Sequence, residues 1–176
     1  FSRAEQKSKK SLYGNHAFET FVVGPSNKLA YTVTFAASNA SATRYNPVYL
    51  YSDSGLGKTH LLISMAREAQ LSGQNVKYIT SERFTHEFVS AIKSGKVNIF
   101  RESYQALDLL LIDDFQLLSG KDQTQEGFFH VFNDLHQNNS QIVVAADRPT
   151  KAMAFLSRRL RSRLDWGISI RIAPPD

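Results

Sequence analysis

The run Ser52-Asp53-Ser54-Gly55-Leu56-Gly57-Lys58-Thr59 has the residue types and order that hold a polyphosphate. It lies directly between an apolar, β-prone run, Val48–Tyr51, and a helical pattern carrying Leu61, Leu62, Met65 and Ala66. The phosphate-loop pattern is G-x-x-x-x-G-K-[ST]. Gly57, Lys58 and Thr59 match it, while Ser52 stands at the first glycine position. Backbone N–H groups from Gly55 to Thr59 can wrap a β-phosphate at a helix N-terminus. Lys58 would neutralise the β- and γ-phosphates, and the Thr59 hydroxyl would hold Mg²⁺. If the loop needs a positive φ at Ser52, serine costs about 1 kcal/mol more there than glycine.

A loop of this kind needs acids at a neighbouring strand end. Leu109-Leu110-Leu111-Ile112-Asp113-Asp114 is an apolar run that stops on two carboxylates. Asp113 suits the magnesium shell, and Asp114 suits polarising an attacking water. A second apolar run, Ile142–Ala146, ends in Asp147-Arg148-Pro149. Asp147 at that tip can touch the γ-phosphate or the water, or it can simply cap a turn. Arg158, Arg159, Arg161 and Arg163 follow, in a stretch without any acid between Arg148 and Leu164. Spacing leaves three uses open for them: a solvated basic face, a cation offered to a neighbouring subunit's nucleotide, or a grip on nucleic-acid phosphate. The histidines at 16, 60, 86, 130 and 136 show no metal-ligand spacing, and no Ser/His/Asp triad is inferable.

The elements that position these residues follow from hydrophobic pattern. Val76–Ile79 is β-prone, and Ser81 opens a helical pattern with Phe84, Phe88, Val89 and Ile92. Val97–Tyr104 predicts a short helix, and Thr124–His136 one with Phe128, Phe129, Phe132 and Leu135 on one face. Gln141–Ala146 and Ile168–Ile172 read as strands. Strands that are apolar without alternation are buried on both faces. Strands alternating with helices make parallel βαβ units and an open, doubly wound α/β sheet. Upstream, Gly24-Pro25-Ser26-Asn27 is a turn, with Ser26 or Asn27 placed to N-cap the next helix. Residues 1–12 read as the end of a flexible linker, with folded sequence from Tyr13.

Composition bounds the function. The chain has 176 residues, 42% hydrophobic and 21% charged, which is globular. Cysteine is absent, which removes disulfides, thiolate metal sites and thiol nucleophiles and fits a reducing compartment. No apolar run approaches the roughly 20 residues of a membrane span, and no signal segment opens the sequence. A formal net charge of +5 favours polyanionic partners.

Several segments in order carry a resemblance. They are Phe21-Val22-Val23-Gly24-Pro25-Ser26-Asn27, Tyr45-Asn46-Pro47, Gly55-Leu56-Gly57-Lys58-Thr59-His60 and Thr80-Ser81-Glu82-Arg83-Phe84. Leu111-Ile112-Asp113-Asp114-Phe115-Gln116 and Gln125-Glu126-Gly127-Phe128-Phe129-His130 come next. Asp147-Arg148-Pro149 and Arg159-Leu160-Arg161-Ser162-Arg163-Leu164-Asp165-Trp166-Gly167 complete them. Over residues 13–176 the chain resembles the DnaA family of bacterial chromosomal replication initiators, which are AAA+ ATPases.

The resemblance implies a three-layer AAA+ P-loop core with a five-stranded parallel sheet and an initiator-specific helical insertion. It implies an ATP/ADP site formed by Gly55, Leu56, Gly57, Lys58, Thr59 and His60, with Val22, Val23 and Asn27 flanking the adenine. Thr59 and Asp113 would serve Mg²⁺, Asp113 and Asp114 form the Walker B pair, and Asp147 is sensor 1. Arg163 would be an arginine finger acting on the adjacent protomer's ATP, and Arg159 a second interprotomer arginine. The segment between the second strand and the acidic strand resembles the insertion that holds single-stranded origin DNA. Val89, Lys121 and Thr124 fall on its contact positions. Gln123 stands where the family often has arginine, which removes a phosphate contact and lowers the salt slope by about one. Asp53 adds negative charge beside the triphosphate.

The implied activity is ATP-dependent assembly on the origin and its melting, in a head-to-tail filament that works with the replicative helicase or its loader. The family's helical lid and its duplex-reading helix-turn-helix domain would follow Pro174-Pro175-Asp176. Acidic phospholipid would also act through the parts beyond this chain. Hydrolysis is expected of the assembled full-length protein and only very weakly of this chain, because the finger acts in trans. The implied setting is the cytoplasm, at the nucleoid. Two other readings remain: a regulatory homologue that stimulates the initiator's hydrolysis, and a nucleotide-blind scaffold that binds DNA or a partner.

Overall fold

The computed structural model describes residues 18–39 and 45–174. The linker read at 1–12 and the folded start at Tyr13 lie outside them. Five strands form one all-parallel sheet in the order β2-β3-β4-β1-β5. They are β1 (Val48–Tyr51), β2 (Val76–Thr80), β3 (Leu109–Asp113), β4 (Gln141–Ala146) and β5 (Ile168–Arg171). The helices among the described residues are α1 (Lys28–Ala37), α2 (Lys58–Leu71), α3 (Ser81–Lys93), α4 (Val97–Gln105), α5 (Asp122–Gln137) and α6 (Arg158–Leu164). The expected elements are all present, with shifts of up to two residues at their ends.

The all-apolar strands explain the layering. Every residue of β3 and β4 is buried, so both sheet faces must be covered. Leu109, Leu111, Val143, Ala145, Val48 and Leu50 face α1 and α2. Leu110, Ile112, Ile142, Val144 and Tyr49 face α3 to α6. The order in which successive strands are laid across the sheet reverses after β2. The crossover β1–α2–β2 therefore lies on one face and the later crossovers on the other, as right-handed connections require. The link from β2 to β3 uses two helices, α3 and α4, instead of one. Phe84 of α3 joins them to α5 through edge-to-face contacts with Tyr104 and Phe128, each at 5.6 Å between ring centres. No helix among the described residues is long and apolar enough to cross a membrane.

The far edge of the sheet is pinned at the start of β1. Asn46 Nδ2 donates to Ser140 O at 2.7 Å, and its Oδ1 accepts from Ile142 N at 3.0 Å. Gly167 then lies so close to Pro47 that a Cβ would stand 1.8 Å from the Pro47 carbonyl oxygen. That oxygen accepts the Ile168 N–H that begins β5. Gly167→Ala is therefore expected to push β5 off β1. Overpacking against rigid backbone should cost about 3 kcal/mol and lower the melting temperature by about 10 °C. Scanning calorimetry checks this, and an unchanged melt would show that the strand end yields.

Candidate nucleotide site

Parallel register brings the chemistry to one edge. Tyr51 pairs with Ala146 and Thr80 with Asp113, so the loop after β1, the end of β3 and the tip of β4 meet at the strands' C-terminal ends. Ligands of open α/β sheets bind at that edge.

Gly57 is the N-cap of α2, with φ 96°, in the left-handed region. It brings no side-chain acceptor, so the first-turn N–H groups are left for a ligand. The Phe21 ring fills the space a side chain would take, 2.7 Å from an added Cβ. Positive φ in this loop falls at Gly55 and Gly57 and not at Ser52. The backbone cost foreseen for Ser52 therefore does not arise. Ser52 is buried, and its oxygens help hold the lysine: Lys58 Nζ donates to Ser52 O at 2.7 Å, to Ser52 Oγ at 2.9 Å and to Asp53 O at 3.1 Å. Burial lowers the Lys58 ammonium below its ordinary value, against the pull of Asp113, Asp147, Asp114 and Asp53.

Thr59 Oγ1 donates to Asp113 Oδ2 at 2.7 Å, and Tyr78 from β2 donates to the same oxygen at 2.8 Å. Asp113 Oδ1 accepts from Asp114 N at 2.9 Å. The Thr59–Asp113 pair is a set of hard oxygen donors, the kind that holds Mg²⁺ together with phosphate and water oxygens. The residues therefore fit that ion. Burial, with the adjacent Asp113 charge, pushes the Tyr78 phenol up. The same two causes raise the Asp114 carboxyl above the usual carboxylate range. Asp114 sits at φ 54°, which turns its side chain out of the strand line. Gln116 hydrogen-bonds the Asp114 carboxylate, and its Oε1 accepts from Asp147 N at 3.1 Å. Asp147 is engaged by its neighbour. Arg148 Nε and Nη2 donate to its two oxygens at 2.7 and 2.9 Å and hold the carboxyl below its ordinary value.

On the base side, Val22 and Val23 are 69% and 45% exposed beside the loop, an apolar surface free to meet a flat ring. Asn27 departs from its expected capping role. It is the N-cap of α1, yet its side chain does not cap the helix. Its Oδ1 accepts from Gly24 N at 2.8 Å and its Nδ2 donates to Val22 O at 2.9 Å. Asn27 is buried, and these two bonds shape the 22–24 segment. His60 meets Thr20 at 3.2 Å and the Phe21 ring edge-on at 5.5 Å.

Arg163 lies elsewhere. Helix α6 runs down to the start of β5, and Ile168 pairs with Val48, the first residue of β1. Arg163 is therefore at the opposite edge of the sheet from its own loop. Its guanidinium lies 4.0 Å over Trp166, and its Nε donates to Asn133 Oδ1 at 3.0 Å. Arg159 lies 4.5 Å over Phe129. Of the strand-contact residues, Lys121 is exposed, Val89 is half-buried on α3, and Thr124 is buried. Lys121 and Thr124 stand at the start of α5, outside the β2–β3 segment they were assigned to, and the Thr124 side chain packs inward. Tyr78 and Gln116 carried no role in the sequence reading. The one signal for Tyr78 is a phenol near the end of a short strand, here the half-buried edge strand β2.

The Bacterial DnaA ATPase domain matches residues 12–171. The chain belongs to that family. Domain III of the Thermotoga maritima replication initiation protein DnaA superposes with a TM-score of 0.88 at 42% identity, covering 93% of this chain and 69% of that one. AMPPCP-bound DnaA from Aquifex aeolicus gives 0.86 at 42% identity, covering 89% of this chain and 50% of that one. A replication initiator DnaA bound to AMPPCP and single-stranded DNA gives 0.85 at 42%, covering 90% and 50%. The chain thus spans about half the length of those two DnaA structures. The AAA+ α/β fold read from the motifs stands in this DnaA-domain chain.

Proposed function

We propose that this DnaA-family domain is the ATP-binding core of a replication initiator that assembles on and melts origin DNA. The observation that carries the proposal is the Thr59–Asp113 pair, 2.7 Å apart, beside the Lys58 loop. Relatives of this family bind an ATP analogue, and one also binds single-stranded DNA. The loop N–H groups and Lys58 take the phosphates, and Val22 and Val23 cover the adenine. Thr59 and Asp113 hold Mg²⁺, which neutralises phosphate charge. Asp114, with its raised carboxyl, accepts a proton from the attacking water more readily than an ordinary aspartate. Gln116 keeps Asp114 and the Asp147 backbone in one network. Asp147 stands at the sensor 1 position, where its carboxylate, kept paired with Arg148, accepts a hydrogen bond from the attacking water beside the γ-phosphate.

Arg163 and Arg159 serve the nucleotide of a neighbouring copy, which makes a head-to-tail filament. Lys121, with Val89, meets single-stranded origin DNA. Duplex origin DNA, the replicative helicase or its loader, and acidic phospholipid complete the partners we propose for the whole protein, working in the cytoplasm at the nucleoid.

Titrating the chain with ATP, ADP and GTP in Mg²⁺ tests the core of this reading. ATP and ADP should bind, and GTP should bind at least about tenfold more weakly, since an apolar base wall offers guanine's extra polar groups no partners. Equal affinity for GTP would remove the adenine assignment, and no binding would remove the nucleotide site.

A further inference from the structure

Phe155 is the most exposed large apolar residue among those described, at 80%, and it also has a left-handed backbone with φ 56°. A bulky side chain is a true outlier there, and such outliers persist only where the surroundings impose them. The surroundings do so here. The buried Gln125 side chain donates to Leu118 O and Phe155 O, each at 2.8 Å, and accepts from Ser157 N at 2.8 Å. Gly120 N donates to Phe155 O at 3.2 Å, and Ser119 Oγ donates to Ala154 O. The loop is thus clamped to the turn that carries Lys121, while the ring itself is left in solvent. No acid occurs between Arg148 and Leu164, and the exposed Lys151 and Arg158 flank the ring in sequence.

An open aromatic ring beside cationic side chains is the arrangement that takes a base and its phosphate together. We infer that Phe155 is a stacking platform for one base of a single strand whose phosphate is met by Lys121. This rests on the single-strand binding proposed above and adds a base contact to it.

The test is fluorescence anisotropy with a labelled oligothymidylate and a matched abasic strand, in ATP and Mg²⁺, over a salt series. Phe155→Ala should weaken binding of the base-bearing strand about tenfold, leave the abasic strand unaffected and leave the salt slope unchanged. Lys121→Ala should instead lower the salt slope by about 0.7. Phe155→Trp should bind like the wild type. Phe155→Gly relieves the backbone, so it should melt higher than the wild type while binding as weakly as Phe155→Ala.

If the wild type binds and Phe155→Ala binds equally well, or loses affinity for both strands alike, the stacking proposal is overturned and the ring belongs to a protein contact. A lower melt for Phe155→Gly would overturn it as well, by making the ring structural. If the wild type binds neither strand, the single-strand reading itself fails and takes this proposal with it.

Discussion

Lys58→Ala is expected to lower affinity for ATP by about a hundredfold or more, with little change in the fold. In the present structure the ammonium is gathered by three oxygens of its own loop, at 2.7, 2.9 and 3.1 Å. These are neutral acceptors, and burial has already lowered the lysine below its ordinary value. Phosphate oxygens offer the same ammonium charged acceptors at no further cost of burial. Hydrogen bonds between charged groups contribute about 1.5–3 kcal/mol each, and two of them correspond to a hundredfold or more. Lys58→Arg should not restore binding, because a planar fork does not fit a pocket shaped for a compact ammonium.

The loss should appear in calorimetric titration and as the disappearance of the thermal shift that ATP gives the wild type. Lys58 lies at a helix start and outside the core, so the ligand-free melts of variant and wild type should agree closely. An unchanged Kd would remove the phosphate-loop assignment. Ser52 bears on the same point. It lies outside the positive-φ positions and supplies acceptors to Lys58, so its departure from the glycine pattern is compatible with a working loop.

What the sequence made legible were the features that one stretch of chain determines alone. Apolar strands such as Leu109–Ile112 declare their burial, and Gly57-Lys58-Thr59 declares a loop whose partners are its own backbone. Asp113 and Asp114 were legible because a carboxylate directly after a buried strand must sit at its edge. What was not legible depends on register or on side-chain choice. Tyr78 reaches Asp113 only because β2 lies beside β3, and spacing does not give strand order. The turn signal predicts Asn27 as a helix cap, but an Asn side chain can bond backbone on either side. Here it bonds the turn before it. Thr124 was placed on a contact surface by resemblance, whereas α5 begins two residues before it and turns it inward. Phe155 gave no signal, because a left-handed φ at a phenylalanine is imposed by Gln125 from another element.

Arg163→Ala is expected to reduce ATP turnover of the assembled protein by about a thousandfold while leaving ATP affinity unchanged, the scale at which a trans cation acts. The reason lies in the sheet. The loop is at the strands' C-terminal ends, and Arg163 stands just before the N-terminal end of β5, across the length of the sheet. No side chain spans that distance within one copy. Trp166 and Asn133 hold the half-buried guanidinium in place, and no acid among the described residues forms an ion pair with it, so its charge stays available to a neighbouring copy.

This geometry makes a stronger prediction than the single variant does. Lys58→Ala copies keep their arginine, and Arg163→Ala copies keep their loop. Each alone should be nearly inactive, yet mixing the two should restore phosphate release at those junctions where the intact loop faces the intact arginine. The restored rate should peak near equal amounts of the two variants. A mixture no more active than its components would place Arg163 outside hydrolysis and leave it as an assembly contact. Loss of ATP affinity in Arg163→Ala alone would place Arg163 on its own nucleotide, which the parallel register forbids.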